Sequence, residues 1–379
     1  MGIKAGVVGV GPVGQNIYRC INELGLQCDE IRMFATSARE MDVDGETLSV
    51  LGLGTEYSDE GLKLFEGLDV VFFAGREGEK GAAKTWAMKA IDTYGCFCID
   101  NGSDFRLDEG IPLIVPEVNM DVATSDTRFI ASPNCSTIQL CVALSPLYAK
   151  AKIKRVIVSS YQAVSGYGRD AQADMVQQLK ALDPEDLSKP LGHDPGIFRK
   201  QIVLDCVPHI DSFMDNGYTK EELKMRYETR KIFGDDTMDV VATTVRVPVD
   251  IGHAESLNVE FDGPMNAETA RELWRESSEE LGIVVIDDLA KDTPGWPTPG
   301  SPKDATWAGH KYADERSYPT QADVLKGEYK NLVLVGRARD DYSRENTLNF
   351  WCVSDNLRKG AATNVVQIAM GLVKRGIIG

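Results

Sequence analysis

An apolar, β-prone run from Ile3 to Val10 opens the chain and passes directly into Gly9-Val10-Gly11-Pro12-Val13-Gly14. Val13, Ile17, Ile21 and Leu24 then recur at helical spacing until Gly25. That order predicts a buried strand, a glycine turn and an amphipathic helix. Shorter apolar runs follow at Ile31–Ala35, Val70–Ala74, Phe97–Asp100, Pro112–Val115 and Phe129–Ala131, with a helical pattern over Lys80–Tyr94. Strands alternating with helices predict a mostly parallel, doubly wound sheet of the Rossmann type, an α/β architecture.

From about residue 153 the pattern changes. Ile153–Tyr161, Asp239–Val247 and Glu255–Phe261 read as strands, and Thr219–Phe233 and Glu268–Leu281 as helices. Thr219 and Glu222 stand at capping-box spacing. Leu332–Arg339 and Thr347–Val353 predict strands joined by a hairpin-like turn at Asp340-Asp341-Tyr342-Ser343. The expectation is an α+β unit on an antiparallel or mixed sheet. Residues 292–310, rich in Pro and Gly, read as a loop. Leu357–Val373 reads as a helix with an apolar stripe of Val365, Ile368, Ala369 and Leu372, suited to packing back on the earlier domain.

The 379 residues, 43% of them apolar, allow two or three packed domains. A net charge of −17 argues against nucleic-acid binding through a global positive field. No apolar run has membrane-spanning length, and the first residues enter a strand directly, so a cytoplasmic protein is expected. Cysteines 20, 28, 96, 98, 135, 141, 206 and 352 follow neither a disulfide framework nor a metal-site spacing, and most read as small buried hydrophobes. No metal is expected.

Cys135 is the exception. Ser132-Pro-Asn-Cys-Ser-Thr137 lies between the Phe129–Ala131 run and a helical stretch from Ile138 to Tyr148. A thiol at a helix start meets unpaired N–H groups and the positive end of the dipole, which predicts a reactive thiolate. The Gly9–Gly14 loop, between strand and helix, suits a pyrophosphate. After the second strand no acid appears between Met33 and Ala38, whereas Thr36, Ser37 and Arg39 do. That favours a 2′-phosphate and hence NADP, although Arg39 reads equally as a solvated loop residue.

Several further motifs occur in order along the chain: Asp100-Asn-Gly-Ser-Asp-Phe-Arg106, Ser132-Pro-Asn-Cys-Ser-Thr-Ile-Gln139, Tyr161-Gln-Ala-Val-Ser-Gly166, Glu228-Thr-Arg-Lys231, Val245-Arg-Val-Pro248, Gly252-His-Ala-Glu-Ser256 and Ser354-Asp-Asn-Leu-Arg-Lys-Gly-Ala-Ala362. In these the chain resembles the aspartate-semialdehyde dehydrogenases. The resemblance implies NADPH-dependent reduction of an acyl phosphate, L-4-aspartyl phosphate, to its semialdehyde, on the route to lysine, threonine and methionine. It makes Cys135 the nucleophile, His253 the general acid/base with a pKa near neutrality, and Gln162 the group orienting the intermediate. Arg246 would hold the substrate carboxylate, Arg106 and Lys224 the phosphate, and Glu221 the amine, with Asn134 also on the substrate. Glu221 and Lys224 also fit an ordinary surface ion pair at their spacing of three. The cofactor would lie on Gly9, Gly11, Pro12, Val13 and Gly14, with Thr36, Ser37, Arg39, Ser165, Gly166 and Asn356. A homodimer is implied, with a tetramer as the alternative. Residues 1–134 with 355–379 would form the NADP-binding domain, and 135–354 the catalytic and dimerisation domain.

The glycine loop is one residue shorter than the family's and lacks its threonine. Phe73-Ala-Gly-Arg76 replaces Ser-Ala-Gly-Gly. Two rivals are an N-acetylglutamyl-phosphate reductase-like enzyme, disfavoured by asparagine rather than glycine before Cys135, and a catalytically silent binding relative, disfavoured by retention of Cys135, Gln162, Arg246 and His253. A serine hydrolase is disfavoured by the absence of a G-x-S-x-G elbow. His209 reads as structural, and His193 and His310 as loop residues.

Overall fold

The computed structural model describes residues 2–189, 191, 196–288, 306–307, 310–311 and 316–379. The first sheet contains β1 (Ile3–Val8), β2 (Cys28–Ala35), β3 (Arg39–Val43), β4 (Glu46–Gly52), β5 (Val70–Phe73), β6 (Phe97–Asp100) and β7 (Phe129–Ala131). Its order is β3-β4-β2-β1-β5-β6-β7, parallel throughout except for β3. Apolar strands buried on both faces need helices on both faces. α1 (Pro12–Leu24) and the C-terminal α10 (Thr363–Lys374) cover one face. α2 (Asp59–Lys63) and α3 (Ala82–Tyr94) cover the other.

The hairpin of β3 and β4 was not expected. It makes Arg39 the first residue of a strand at the sheet edge rather than a loop residue. The Pro112–Val115 run forms no strand; only Leu113 bridges, to Ala131. Pro112 lacks the N–H that a ladder position requires. A short helix, α4 (Pro116–Asn119), follows it.

From β7 the chain enters α5 (Cys135–Lys150), which is buried along nearly its whole length. A helix apolar on all sides must be enclosed, and α5 packs beneath the second sheet. That sheet has the order β11-β14-β15-β10-β8-β9. Its strands are β8 (Ile153–Gln162), β9 (Asp239–Arg246), β10 (His253–Phe261), β11 (Ile283–Val285), β14 (Val333–Asp340) and β15 (Thr347–Ser354). The pairs β8·β9 and β11·β14 are parallel and the rest antiparallel, so the sheet is mixed. α7 (Lys220–Phe233) starts with the predicted capping box, and both of its hydrogen bonds form. The predicted Glu268–Leu281 helix breaks at Ser277 into α8 (Ala267–Glu276) and α9 (Ser278–Leu281).

Three helices among the described residues have no counterpart in the sequence pattern: the short α2 and α4, and the polar α6 (Arg169–Lys180). A two-stranded ribbon of β12 (Thr306–Trp307) and β13 (His310–Lys311) takes the end of the expected 292–310 loop, so His310 is in a strand. Residues 292–305 and His193 lie outside the described residues. Val365, Ile368, Ala369 and Leu372 are all buried in the first domain's core, as the stripe predicted. The helix starts later than expected, at Thr363, after a π-helical segment, Arg358–Ala362. Among the described residues no helix is long and apolar enough to cross a membrane, and no cluster of His, Cys, Asp or Glu has metal-binding geometry.

Candidate active site

In a doubly wound sheet, ligands gather at the carboxyl ends of the strands. Here those ends supply the loop after β1, the Ala74–Glu77 turn after β5, Asn101–Arg106 after β6 and Pro133–Cys135 after β7. They open on one cleft of about 710 Å³. Pro12 and Val13 line it at one end, Arg106, Cys135 and Arg246 further in.

The glycine loop is set by close approaches. A Cβ on Gly9 would lie 2.5 Å from Ala74 O, and one on Gly14 would lie 1.8 Å from Gly9 O. Gly9 also has a φ of +107°, a region that favours glycine. Gly11 caps α1 without a side-chain hydrogen bond, and a Cβ there meets nothing within 4 Å. The helix therefore presents unpaired N–H groups beside open space, which fits a dinucleotide pyrophosphate. Arg39 Nη1 donates to Ser37 Oγ at 3.3 Å, at the exposed end of the same sheet. Thr36 and Ser37 follow β2 as expected.

Cys135 is the first residue of α5. Asn134 caps the helix, its Oδ1 accepting from Ser136 N at 3.0 Å. Asn134 N donates to Glu228 Oε2 at 2.6 Å, and its Nδ2 to Glu221 Oε1 at 2.9 Å. The sequence expectation of a depressed thiol pKa is not met. Desolvation first, then the Glu221 carboxylate, push the Cys135 thiol above its ordinary value, against Arg106, Arg246 and Lys224. Burial and Glu221 thus favour the protonated thiol.

The second sheet brings three expected residues together by register. Gln162 on β8 stands opposite both Arg246 on β9 and His253 on β10, and His253 stands opposite Ser354 on β15. Directly opposed residues share a face, so Arg246, Gln162, His253 and Ser354 form one row across the sheet. Gln162 Nε2 donates to Glu221 Oε1 at 3.1 Å. Arg246 Nη1 donates to Ala163 O at 2.6 Å. Arg246 is buried, lines the cleft and has no ion pair among the described residues. Its burial pulls its pKa down.

His253 is fully buried. Its Nδ1 accepts from Ala163 N–H at 3.1 Å, which puts the imidazole proton on Nε2, an atom with no partner. Burial, followed by the neighbouring Arg246, pushes its pKa down to about 3. The expected pKa near neutrality is thus corrected: the ring is neutral at pH 7. Gly166 lies directly over it, since a Cβ there would be 3.3 Å from both His253 Nε2 and Arg246 Nη1. Asn356 fastens that turn, with Nδ2 donating to Ser165 Oγ at 3.0 Å and Oδ1 accepting from Gly252 N at 2.9 Å.

Glu221 is buried and Lys224 half-buried in the cleft, so they are not an ordinary surface pair. Lys224 Nζ reaches Glu221 Oε2 at 3.2 Å and Asp211 Oδ2 at 2.8 Å. Burial alone raises Glu221; Lys224 and the Asn134 and Gln162 amides overcome it and hold the carboxyl at about 2. Arg106 is held by Glu228 at 3.2 Å, Gly102 O at 3.0 Å and Asn101 O at 2.8 Å. Two of its five N–H groups remain for an anion.

Glu228 carries no role in the sequence reading, yet it ties Asn134 to Arg106. Its signal was the seven-residue spacing from Glu221, which puts both on one face of α7. His209, expected to be structural, lines the cleft and stacks on Phe213, with centroids 4.4 Å apart. Glu77 lines it too, accepting from Ser103 Oγ at 2.7 Å.

Such a cleft joins a dinucleotide loop to a cysteine among cations, the layout of a semialdehyde dehydrogenase. Residues 4–125 match the profile of the semialdehyde dehydrogenase NAD-binding domain, and residues 144–359 that of the semialdehyde dehydrogenase dimerisation domain. The aspartate-semialdehyde dehydrogenase of Aquifex aeolicus is 39% identical over 385 residues, covering 100% of both chains. The structure of aspartate semialdehyde dehydrogenase II from Vibrio cholerae, complexed with ASA, superposes with a TM-score of 0.79 at 34% identity over 99% of each chain. That of the Candida albicans enzyme with NADP shares the fold, with a TM-score of 0.64 at 22% identity over 100% of each chain. The chain belongs to the aspartate-semialdehyde dehydrogenase family.

Proposed function

We propose that the chain reduces L-4-aspartyl phosphate to L-aspartate 4-semialdehyde, with NADPH as the reductant and Cys135 as a covalent nucleophile. The carrying observation is Arg246, a buried cation that makes no ion pair among the described residues, in the same cleft as Cys135. An uncompensated buried charge is costly, and a substrate carboxylate would supply its partner bidentately.

Bound NADPH supplies a hydride. The chain's own residues do the rest. Cys135 Sγ bonds to the acyl carbon as the carbon–oxygen bond to phosphate breaks, and the thiol proton leaves with the phosphate. The product of this half-reaction is a thioester, whose sulfur is a good leaving group later. Arg106 and Lys224 steady the phosphate, and Glu221 takes the substrate ammonium. Gln162 and Asn134, both bonded to Glu221, orient the acyl group. His253 offers its Nε2 proton to the acyl oxygen as charge builds there.

NADP is the favoured nucleotide because Ser37 and Arg39 follow β2 with no acid between Met33 and Ala38, and a structural relative carries NADP. Pro12, Val13, Ser165, Gly166 and Asn356 complete its site. A homodimer is supported by the matched dimerisation domain. The division into 1–134 with 355–379, and 135–354, is supported by α10 packing in the first core. Free cysteines throughout the described residues suit the reducing cytoplasm. The test is phosphate-dependent oxidation of L-aspartate 4-semialdehyde with NADP, run beside N-acetylglutamate semialdehyde. Faster turnover of the acetylated substrate would refute the assignment.

A further inference from the structure

The Glu228-Thr-Arg-Lys231 run on α7 has no part in the reaction proposed above, yet each of its charged residues grips a neighbouring segment. Arg230 holds the start of β9, with Nε donating to Met238 O at 2.6 Å and Nη2 to Asp239 Oδ1 at 3.1 Å. Lys231 Nζ donates to the carbonyls of Arg106 and Asp108, both at 2.9 Å. Glu228 is 1% exposed, and its two oxygens go to different loops. Oε1 accepts from Arg106 Nη1 at 3.2 Å, and Oε2 accepts from Asn134 N at 2.6 Å.

Those loops follow β6 and β7, and each carries one end of the chemistry. Arg106 is on the first, and Asn134 is on the second, directly before Cys135. A buried carboxylate is stable only where cations and N–H groups replace its water, and Glu228 takes one of each. Gly102 O and Asn101 O hold Nε and Nη2 of the same guanidinium. With Glu228 on Nη1 all three nitrogens are anchored, so the two remaining N–H groups have a set direction. The other oxygen fixes the main chain beside the nucleophile. α7 is itself anchored at its start by the Thr219–Glu222 capping box. Glu221, on the same face of α7, holds Asn134 Nδ2.

We infer that Glu228 is a positioning residue: through Arg106 on one oxygen and Asn134 on the other, it sets the spacing between the phosphate anchor and the attacking Sγ of Cys135. In the acylation step the sulfur–carbon bond forms as the carbon–oxygen bond to phosphate breaks. An error in that spacing displaces either the phosphate from Arg106 or the acyl carbon from Sγ. Glu228 does not line the cleft, so it acts through the two residues it holds. Charge balance alone would need only an anion near Arg106; positioning needs an anion that reaches both partners at once.

The inference rests on Arg106 holding the phosphate, and the experiment separates the two claims. Glu228→Asp keeps the charge but ends about 1.5 Å short, so it cannot reach both partners. Calorimetric titration with inorganic phosphate needs no turnover and is run on the wild type, Glu228→Asp, Arg106→Gln and the double variant. Glu228→Asp should bind phosphate about ten-fold more weakly, the loss of one charge-assisted hydrogen bond. The double variant should bind it no more weakly than Arg106→Gln, since the effect passes through Arg106. In phosphate-dependent oxidation, Glu228→Asp should raise KM for phosphate and lower kcat, each about ten-fold, and leave KM for NADP within about two-fold. Glu228→Gln is the second variant, with one acceptor oxygen for two donors. Removing the anion would by charge alone tighten phosphate binding, so weaker binding there supports positioning and tighter binding overturns it. Wild-type phosphate affinity in a folded Glu228→Asp enzyme also overturns the inference, as do losses that add in the double variant. A wild type that binds no phosphate, or a folded Arg106→Gln enzyme that binds it as the wild type does, overturns the phosphate role of Arg106 and the inference with it.

Discussion

Gly360 lies in the π-helical segment before α10 and presses on the first residue of α5. A Cβ at this position would sit 3.0 Å from Cys135 Cβ and 3.3 Å from both its Cα and its carbonyl oxygen. Carbon atoms normally meet at about 3.5–4.0 Å, so Gly360→Ala drives the two segments apart by about 0.5–1 Å. Neither segment yields freely. Asn134 and Glu228 pin the helix start, and the buried Lys359–Glu117 pair pins the other side. Gly360 has no left-handed φ, so the contact alone sets the cost. Overpacking of this kind costs about 1–3 kcal/mol, seen as a lower Tm. Catalysis should suffer more, since a displacement of about 1 Å at a reacting atom costs about 100-fold. We therefore expect kcat to fall about 10- to 100-fold, with dinucleotide binding retained. Steady-state kinetics, thermal unfolding and the alkylation rate of Cys135 check this together. A Gly360→Ala enzyme with wild-type kcat and alkylation rate would refute the idea that this contact seats the thiol.

Arg39→Ala should lower kcat/KM with NADPH more than with NADH; equal losses would mean that Arg39 does not read the 2′-phosphate. Glu221→Gln should have two opposite effects. Substrate use weakens because the ammonium loses its partner, whereas alkylation of Cys135 near neutral pH speeds up because an anion that raises the thiol pKa is gone. Unchanged alkylation would show that Glu221 does not act on the thiol. The same variant should lose the stability that Glu221 supplies above its unfolded pKa. In the wild type that contribution disappears as pH falls from about 4.5 towards 2.

Much of this was legible in the chain. Fully buried strands such as Val70–Phe73 and Phe97–Asp100 announce themselves as apolar runs. The β3–β4 hairpin does not, because Arg39, Glu40 and Asp42 charge an edge strand. Its one signal was Asp44-Gly45, where both residues take positive φ, 56° and 85°, as a tight hairpin requires. α6 has too few apolar positions for periodicity to reveal. Cys135, Gln162, Arg246 and His253 were findable as motifs, but the register row linking the last three was not, since it joins strands about ninety residues apart. The protonation states were also out of reach. A helix start predicts a depressed thiol, and only the folded site shows Glu221 and burial acting the other way.

The most direct test of the central claim is the acylation half-reaction. Enzyme mixed rapidly with L-4-aspartyl phosphate and no NADPH should release about one phosphate per active site in a burst, and mass spectrometry should find the aspartyl group on the Cys135 peptide. Cys135→Ala should give no burst. Phosphate release that waits for NADPH, or a burst that survives in Cys135→Ala, would contradict a thioester at Cys135.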